Sequence, residues 1–188
     1  MPTTIARVVA SICVIVAAVL ILIAHRRRPE LPASEIALSV YFTDPTRSIM
    51  ISAYAAIAAA LFSVSVVVTT QVRTTTAVIA VACCIGAILL APVVATTQRD
   101  ITMTRSEATR RVHRYAAASS FAAIGVALAA SAYAAIVDAD MPVAILGFFG
   151  TIVVARVLQH KQASTHGLRQ KILLAILGLW IITIAVTG

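Results

Sequence analysis

Residues 115–137 read YAAASSFAAIGVALAASAYAAIV, and none of these 23 side chains is charged. The hydrocarbon core of a bilayer is about 30 Å thick and an α-helix rises about 1.5 Å per residue, so about 20 apolar residues suffice to cross it. Asp138 follows directly and marks the end of the apolar stretch. The stretch therefore predicts a transmembrane helix.

Five further apolar segments of similar character lie on either side of this one. Of the 188 residues, 61% are hydrophobic and 12% are charged, and the mean hydropathy is +0.99. A soluble domain with this composition would expose too much apolar surface. We predict an all-α membrane protein, a six-transmembrane-helix bundle that forms a single domain over residues 1–188. The predicted spans are about residues 8–24, 49–72, 76–95, 115–137, 141–158 and 172–187.

The first apolar segment is predicted to be a retained span. The sequence HRRR follows it at residues 25–28, where a signal peptide would have small residues for cleavage. We therefore count six spans and expect no separate soluble domain.

Positive charge is concentrated on one face of the predicted bundle. Thirteen of the 15 Lys and Arg residues fall in or beside the first, third and fifth loops, and only Arg7 and Arg73 fall on the other side. Because Lys- and Arg-rich loops are found in the cytoplasm, we expect these loops to be cytoplasmic and both termini outside, in a bacterial plasma (inner) membrane. No basic segment has interleaved aromatic residues, which argues against nucleic-acid binding. The face that carries the first, third and fifth loops is called the odd-loop face below.

Two predicted spans carry stripes of small residues at a spacing of four. Helices in lipid associate where small side chains allow their backbones to approach closely. The stripes therefore predict tight packing of spans two and four, either against other helices of this chain or against a membrane-protein partner. They consist of Ser52, Ala56 and Ala60 in span two, and of Ser119, Ala123, Ala127, Ser131 and Ala135 in span four.

Three loop segments carry helix-start signals. Asp44, with a proline after it, and Asp140 are each predicted to cap the amino terminus of the following helix. The segment from Thr104 to Glu107 fits a capping box, which predicts that the fourth helix begins near residue 105. Glu107 and Arg111 stand four residues apart and are expected to form an ion pair.

The chemistry most concentrated on the odd-loop face is cationic. Arginine clusters at span ends attract anionic lipid headgroups, by about 1 kcal/mol per residue near the surface, and the arginine fork suits phosphate. The leading hypothesis is a non-enzymatic protein that binds an anionic lipid or amphiphile, or that serves as an accessory subunit of a membrane complex. The candidate lipid- or anion-binding residues are Arg28, Arg110, Arg111 and Arg114.

The alternative hypothesis is a membrane enzyme that acts on an anionic lipid headgroup, with His113 and Glu35 as acid or base. In this hypothesis Arg28, Arg110 and Arg114 bind the phosphate. No nucleophile motif such as GxSxG accompanies them. A small-solute permease is less favoured, because no ionisable residue lies at the centre of a predicted span. The four histidines all fall on the odd-loop face but lack metal-ligand spacing, so neither a metal nor a cofactor is predicted. The cysteines lie inside apolar segments, where packing explains them; they are Cys13, Cys83 and Cys84.

Four short segments resemble a bacterial six-span family catalogued as domain of unknown function 998. HRRRPELPASEIALS at residues 25–39 resembles the family's Arg-Pro-acidic segment and the Ser-Glu-Tyr-Ala-type motif after it. RSIMISAYAAIAAALFSV at residues 47–64 resembles the start of its second span. RRVHRYAAASSF at residues 110–121 resembles the His-led start of its fourth span, and HGLRQKILLAILGLW at residues 166–180 the Gly-Leu-x-x-Arg start of its last.

The resemblance implies a six-helix bundle and gives weight to Glu35, Asp100 and His113 as functional positions. The sequence differs from the family pattern at Arg169, where an acidic residue is expected, and at two further places. Ile36 stands where an aromatic residue is usual, and TTQRD at residues 96–100 lacks the proline that tends to precede the aspartate. The resemblance implies no activity, because the family is uncharacterised.

Overall fold

Six long helices account for most of the chain. The computed structural model describes residues 2–32, 35–71, 75–97, 107–138, 140–159 and 166–187, and these consist of six α-helices, one 3₁₀ helix and their connections. Each α-helix is long and apolar enough to cross a membrane, which confirms the prediction of an all-helical, six-span protein. The helices are α1 (Pro2–Arg27), α2 (Arg47–Gln71), α3 (Thr75–Thr97), α4 (Glu107–Val137), α5 (Met141–Gln159) and α6 (His166–Thr187), and the 3₁₀ helix is Leu38–Phe42.

The helices form a closed ring. Each one packs against the next in sequence, α6 packs back against α1, and α2 also contacts α6 across the ring. The side chains that fill the centre come from several helices and are among the least exposed in the protein, with Trp180 of α6 only 1% exposed. This arrangement brings the first and last helices of the chain together.

Helices α4 and α5 approach each other closely at glycine residues. A Cβ atom at Gly147 would lie 2.6 Å from the carbonyl oxygen of Leu128 and 2.8 Å from the Cβ of Ala132. A Cβ at Gly125 would lie 2.8 Å from Cγ1 of Val154. Real Cβ atoms do not tolerate such distances, so the absence of side chains at these positions permits the contact.

The predicted stripe of small residues on α4 is buried in part. Ala127 is buried, and Ser131 accepts a hydrogen bond of 2.9 Å from the Nε1–H of Trp180 on α6. Ser119, at the end of the stripe nearer the odd-loop face, is exposed. The stripe therefore packs within this chain only along the half that lies farther from the odd-loop face.

The predicted start of α5 is confirmed. Asp140 Oδ1 accepts a hydrogen bond of 3.4 Å from the backbone N–H of Val143, which is the contact of an amino-terminal cap. The expected pair at the start of α4 is also present, with Arg111 Nε 3.2 Å from Glu107 Oε1. The rest of the predicted capping box, residues 104–106, lies outside the described residues.

The predicted cap of α2 is wrong. The helix begins at Arg47, and the residue before it is Thr46, whose carbonyl accepts the backbone N–H of Met50 at 3.0 Å. Thr46 is fully buried, and its hydroxyl donates to the carbonyl of Tyr41 at 2.7 Å. Asp44 lies two residues earlier, in a turn. The helix starts later than its sequence signal because the first loop folds back on itself and buries Thr46.

Candidate functional site

An apolar groove runs between α1 and α6. Its volume is about 590 Å³, which falls inside the range of about 300–1,000 Å³ typical of ligand pockets. Space remains there because several facing residues are small, among them Ala17, Ala18, Ala175 and Gly178. The other apolar lining residues are Val14, Ile21, Leu22, Ile57, Leu174, Leu177, Leu179, Ile181 and Ile182.

The groove has the depth of one bilayer leaflet. On α1 its lining extends from Val14 to His25, and on α6 from Lys171 to Ile182. At 1.5 Å per residue each wall is about 16 Å long, close to half of the roughly 30 Å hydrocarbon core. One end lies at the odd-loop face, where α1 ends and α6 begins, and the other lies near the middle of the membrane.

The end at the odd-loop face is polar. His25 donates from Nδ1 to the carbonyl of Ile21 at 2.8 Å, and its ring stacks on Tyr41 with the two centroids 4.5 Å apart. Lys171 Nζ lies 5.9 Å from the centroid of the Tyr41 ring and donates to the carbonyl of Ile36 at 3.1 Å. An otherwise apolar groove therefore ends at an imidazole and an ammonium group held by the same tyrosine.

One atom of this cluster lacks a hydrogen-bond partner. His25 Nε2 is buried and has none among the described residues. Because Nδ1 donates to a carbonyl, Nδ1 carries a hydrogen, and in the neutral ring Nε2 is then an acceptor. A buried polar atom left unpaired costs about 1–3 kcal/mol. A ligand group that reached Nε2 would remove that cost.

The first loop is docked on the beginning of α6. The buried side chain of Gln170 accepts a hydrogen bond of 3.0 Å at Oε1 from the backbone N–H of Leu38. A Cβ at Gly167 would collide with the backbone of Ile36. The loop backbone therefore lies directly against α6, and this contact places Tyr41 beside Lys171 at the polar end of the groove.

Arg28 ties the two ends of the first loop together. Its side chain is only 14% exposed; it pairs with Glu30 and donates to the carbonyl of Asp44 at 2.8 Å and to Thr43 Oγ1 at 3.3 Å. The hydrogen bond from Arg28 lowers the pKa of the Glu30 carboxyl. Burial raises the pKa of the Tyr41 hydroxyl. Arg28 thus stabilises the loop that carries Tyr41 to the groove.

A model of one protein family matches nearly the whole chain. Its description is "Protein of unknown function (DUF998)", and the match covers residues 11–187. The chain belongs to the DUF998 family. No curated protein and no solved structure matches it. The match spans both walls of the groove and the docked loop, so in this DUF998 protein they belong to the family domain.

The predicted arginine cluster on α4 is solvated. Arg110 and Arg111 both pair with Glu107, and their side chains are 59% and 66% exposed. Arg114 is exposed as well. Among the four predicted anion-binding arginines of this DUF998 protein, Arg28 is the one enclosed by polar partners. The three on α4 present exposed positive charge at the odd-loop face.

The predicted acid and base candidates are held by different elements. His113 Nδ1 lies 3.0 Å from Thr97 Oγ1, so it links α4 to the end of α3. Glu35 is exposed, in the turn after α1, where its backbone N–H donates to the carbonyl of Pro32 at 3.1 Å. Asp100 lies outside the described residues. Their catalytic roles stay predictions.

Four residues at or beside the groove's polar end were absent from the site candidates drawn from sequence: His25, Tyr41, Gln170 and Lys171. The sequence signal for Lys171 was its position directly before the last apolar segment, where it counts as a loop charge. The helix in fact starts earlier, at His166, which places Lys171 within α6. For Tyr41 no local signal exists, because its position depends on how the first loop folds. Within the described ranges, no group of three or more His, Cys, Asp or Glu side chains lies close enough to hold a metal ion.

Proposed function

We propose that the protein binds one anionic membrane lipid, with an acyl chain in the groove between α1 and α6 and the phosphate of the headgroup at Lys171. The observation that carries this proposal is an apolar groove, one leaflet deep, that ends at a cation at the membrane surface. An anionic lipid has the same two parts, because an apolar acyl chain about as long as one leaflet is joined to an anionic headgroup. The lipid would belong to the leaflet on the odd-loop side.

The headgroup, rather than the chain, supplies the selectivity of such a site. An acyl chain gains little when it moves from other lipid tails into an apolar groove, because both surroundings are equally apolar. A hydrogen bond between Lys171 and a phosphate is charge-assisted, and bonds to charged groups contribute about 1.5–3 kcal/mol. The exposed arginines of α4 add a positive potential that gathers anionic lipids around the face.

The enzymatic alternative draws less support from the site. Arg28, one of the three arginines expected to bind the phosphate, is occupied by Glu30 and the backbone of Asp44. His113 is engaged with Thr97 on α3. We therefore propose lipid binding without turnover as the function of this face.

Native mass spectrometry of the protein, purified from mixed vesicles of phosphatidylglycerol and phosphatidylcholine, tests the proposal. We expect the wild type to retain one phosphatidylglycerol. Ala18→Trp fills the groove and Lys171→Met removes its cation, so each should lower retention at least fivefold. Ala129→Trp is the matched control, because Ala129 is an exposed position on α4 that does not line the groove.

Two results would contradict the proposal. One is equal retention by Ala18→Trp and the Ala129→Trp control. The other is loss of the lipid in Arg110→Ala or Arg114→Ala with full retention in Lys171→Met, which would move the site to the arginine cluster on α4.

An accessory role in a membrane complex is a second proposal, based on the exposed ends of the small-residue stripes. Ala60 of α2 and Ala127 of α4 are buried, whereas Ser52 and Ser119, which begin these stripes, are exposed. The exposed ends offer surfaces where another helix can approach closely. A membrane protein that co-purifies stoichiometrically and is lost in Ser119→Trp would support this role, and a wild type that purifies alone from its own membrane would contradict it.

A further inference from the structure

Building on the lipid site proposed above, we infer that the groove selects a headgroup in which a hydroxyl group stands beside the phosphate, as in a glycerol phosphodiester. The inference rests on two groups at the polar end of the groove. Lys171 supplies a positive charge, and His25 supplies an acceptor that no described residue uses.

The hydrogen bond of Nδ1 determines what His25 offers to a ligand. Nδ1 donates to the carbonyl of Ile21 at 2.8 Å, which orients the ring along α1. In the neutral imidazole this leaves Nε2 with a lone pair and no hydrogen. The complementary ligand group is therefore a donor. A phosphate oxygen alone is only an acceptor and cannot satisfy it.

Tyr41 brings the acceptor and the charge to one place. The His25 ring stacks on Tyr41 at 4.5 Å, and Lys171 Nζ lies 5.9 Å from the centroid of the same tyrosine ring. Both groups line the groove. A headgroup whose phosphate lies at Lys171 can therefore bring a donor to the His25 side of the same tyrosine. Because Nε2 is buried, the groups that cover it must move aside when the headgroup binds.

The charge of Lys171 favours a hydroxyl as that donor. An ethanolamine headgroup carries an ammonium donor, but its positive charge would lie beside Lys171, where like charges repel. A choline headgroup has the same charge and no donor. A neutral hydroxyl on an anionic phosphodiester meets both requirements, with a donor for Nε2 and a negative charge for the lysine.

Phosphatidylglycerol and phosphatidylmethanol with identical acyl chains are suitable probes, because both carry one negative charge and only the first has headgroup hydroxyls. We expect the wild-type protein, loaded from vesicles containing equal amounts of these two lipids and of phosphatidylcholine, to retain phosphatidylglycerol about fivefold more than phosphatidylmethanol, the typical effect of one hydrogen bond. His25→Phe keeps an aromatic ring for stacking on Tyr41 but lacks Nε2, and it should retain both lipids equally. Lys171→Met should retain little of either.

The outcomes distinguish the hydroxyl preference from the lipid-binding proposal on which it rests. Equal retention of the two anionic lipids by the wild type would overturn the hydroxyl preference and leave the lipid site intact. So would a preference that persists in His25→Phe. Retention of both anionic lipids at the level of phosphatidylcholine would overturn the lipid site itself. The wild-type comparison needs no variant, so the inference stays testable if a substitution prevents folding.

Discussion

At the scale of single residues, Arg28 shows how a side chain at a membrane surface can be committed to structure. Its guanidinium joins Glu30 at one end of the first loop to Thr43 and Asp44 at the other. A guanidinium suits this role because it has five N–H donors in a fixed plane. From the sequence, Arg28 is expected to bind a lipid phosphate. In the structure its guanidinium instead holds the two ends of the first loop together.

Replacement of Arg28 by Gln should raise the pKa of Glu30. In the wild type the pKa is lowered from its usual 4.5 by the hydrogen bond from Arg28. Because the folded-state pKa is lowered, the ionised carboxylate of Glu30 stabilises the fold at pH values above its ordinary pKa. That stabilisation is lost as the pH falls through the lowered pKa. Carbon-13 NMR titration of the Glu30 carboxyl in both proteins measures this. An unchanged pKa in Arg28→Gln would show that the pair does not form.

The hydrogen bond between Trp180 and Ser131 is a second contact at this scale. The two atoms lie 2.9 Å apart, and Ser131 also donates to the carbonyl of Leu128 at 2.9 Å. We expect a double-mutant cycle of Trp180→Phe and Ser131→Ala to give a coupling free energy of about 0.6–1 kcal/mol, the usual size for such bonds inside membranes. Unfolding in mixed micelles measures it, and additive single effects would refute the coupling.

At the scale of secondary structure, the contact between α4 and α5 depends on the absence of side chains. Gly147 lies against the backbone of Leu128, and apolar lipid cannot drive helices together by the hydrophobic effect, so fit between the helices matters more. Gly86 of α3 has no such role. Around a Cβ at Gly86 of α3, no atom outside its immediate backbone lies within 4 Å.

Gly147→Ala and Gly86→Ala should therefore change the free energy of unfolding by different amounts, or in opposite directions. At Gly147 the methyl group would force α4 and α5 apart, at a cost of about 1–3 kcal/mol. At Gly86 the methyl group enters open space, and the better helix propensity of alanine makes the change neutral or stabilising by up to about 1 kcal/mol. The free energy of unfolding measured for both variants checks this, and equal destabilisation would contradict the close approach.

The first loop and α6 form another contact at this scale, through Gln170. Gln170→Leu would leave the buried backbone N–H of Leu38 without its acceptor. We expect faster amide hydrogen exchange across residues 35–46, by about tenfold, because the loop opens more often. Leu168→Gln, at an exposed position two residues away, is the control and should leave exchange unchanged. Equal exchange in both variants would show that the loop does not depend on Gln170.

At the scale of the whole molecule, the ring of helices places the polar end of the groove and the α4 arginines on one membrane face. Orientation relative to the cell stays a prediction, drawn from the distribution of Lys and Arg. It assigns the odd-loop face to the cytoplasm. The lipid of the proposed site would then come from the cytoplasmic leaflet.

Cysteine labelling of intact cells tests this orientation. In a variant without the native cysteines, we expect Asp138→Cys to react with a membrane-impermeant maleimide and Pro29→Cys to react only after the cells are permeabilised. Both positions are exposed and lie at opposite faces of the bundle. The reverse pattern would place the odd-loop face outside the cell, and the lipid site with it.

Much of this protein follows from properties of short segments. The free energy of transferring a segment from water to lipid is a sum over its own residues, so six spans can be predicted without knowledge of their neighbours. The cap formed by Asp140 and the pair of Glu107 with Arg111 are equally local, since each joins residues three or four apart. The exposed positive charge at the start of α4 is local as well, because its arginines lie close together in sequence.

The groove and its polar end depend on contacts between distant parts of the chain. His25 and Lys171 line one groove only because the ring closes between α1 and α6, and Tyr41 reaches them only because the first loop docks on Gly167 and Gln170. The fold of the same loop explains why α2 begins at Arg47 and is not capped by Asp44. Composition and hydropathy determined that the chain crosses the membrane six times and where its charge lies. The fit between helices far apart in sequence decided where the groove and its polar end lie, because that fit is a property of pairs of surfaces that no single segment contains.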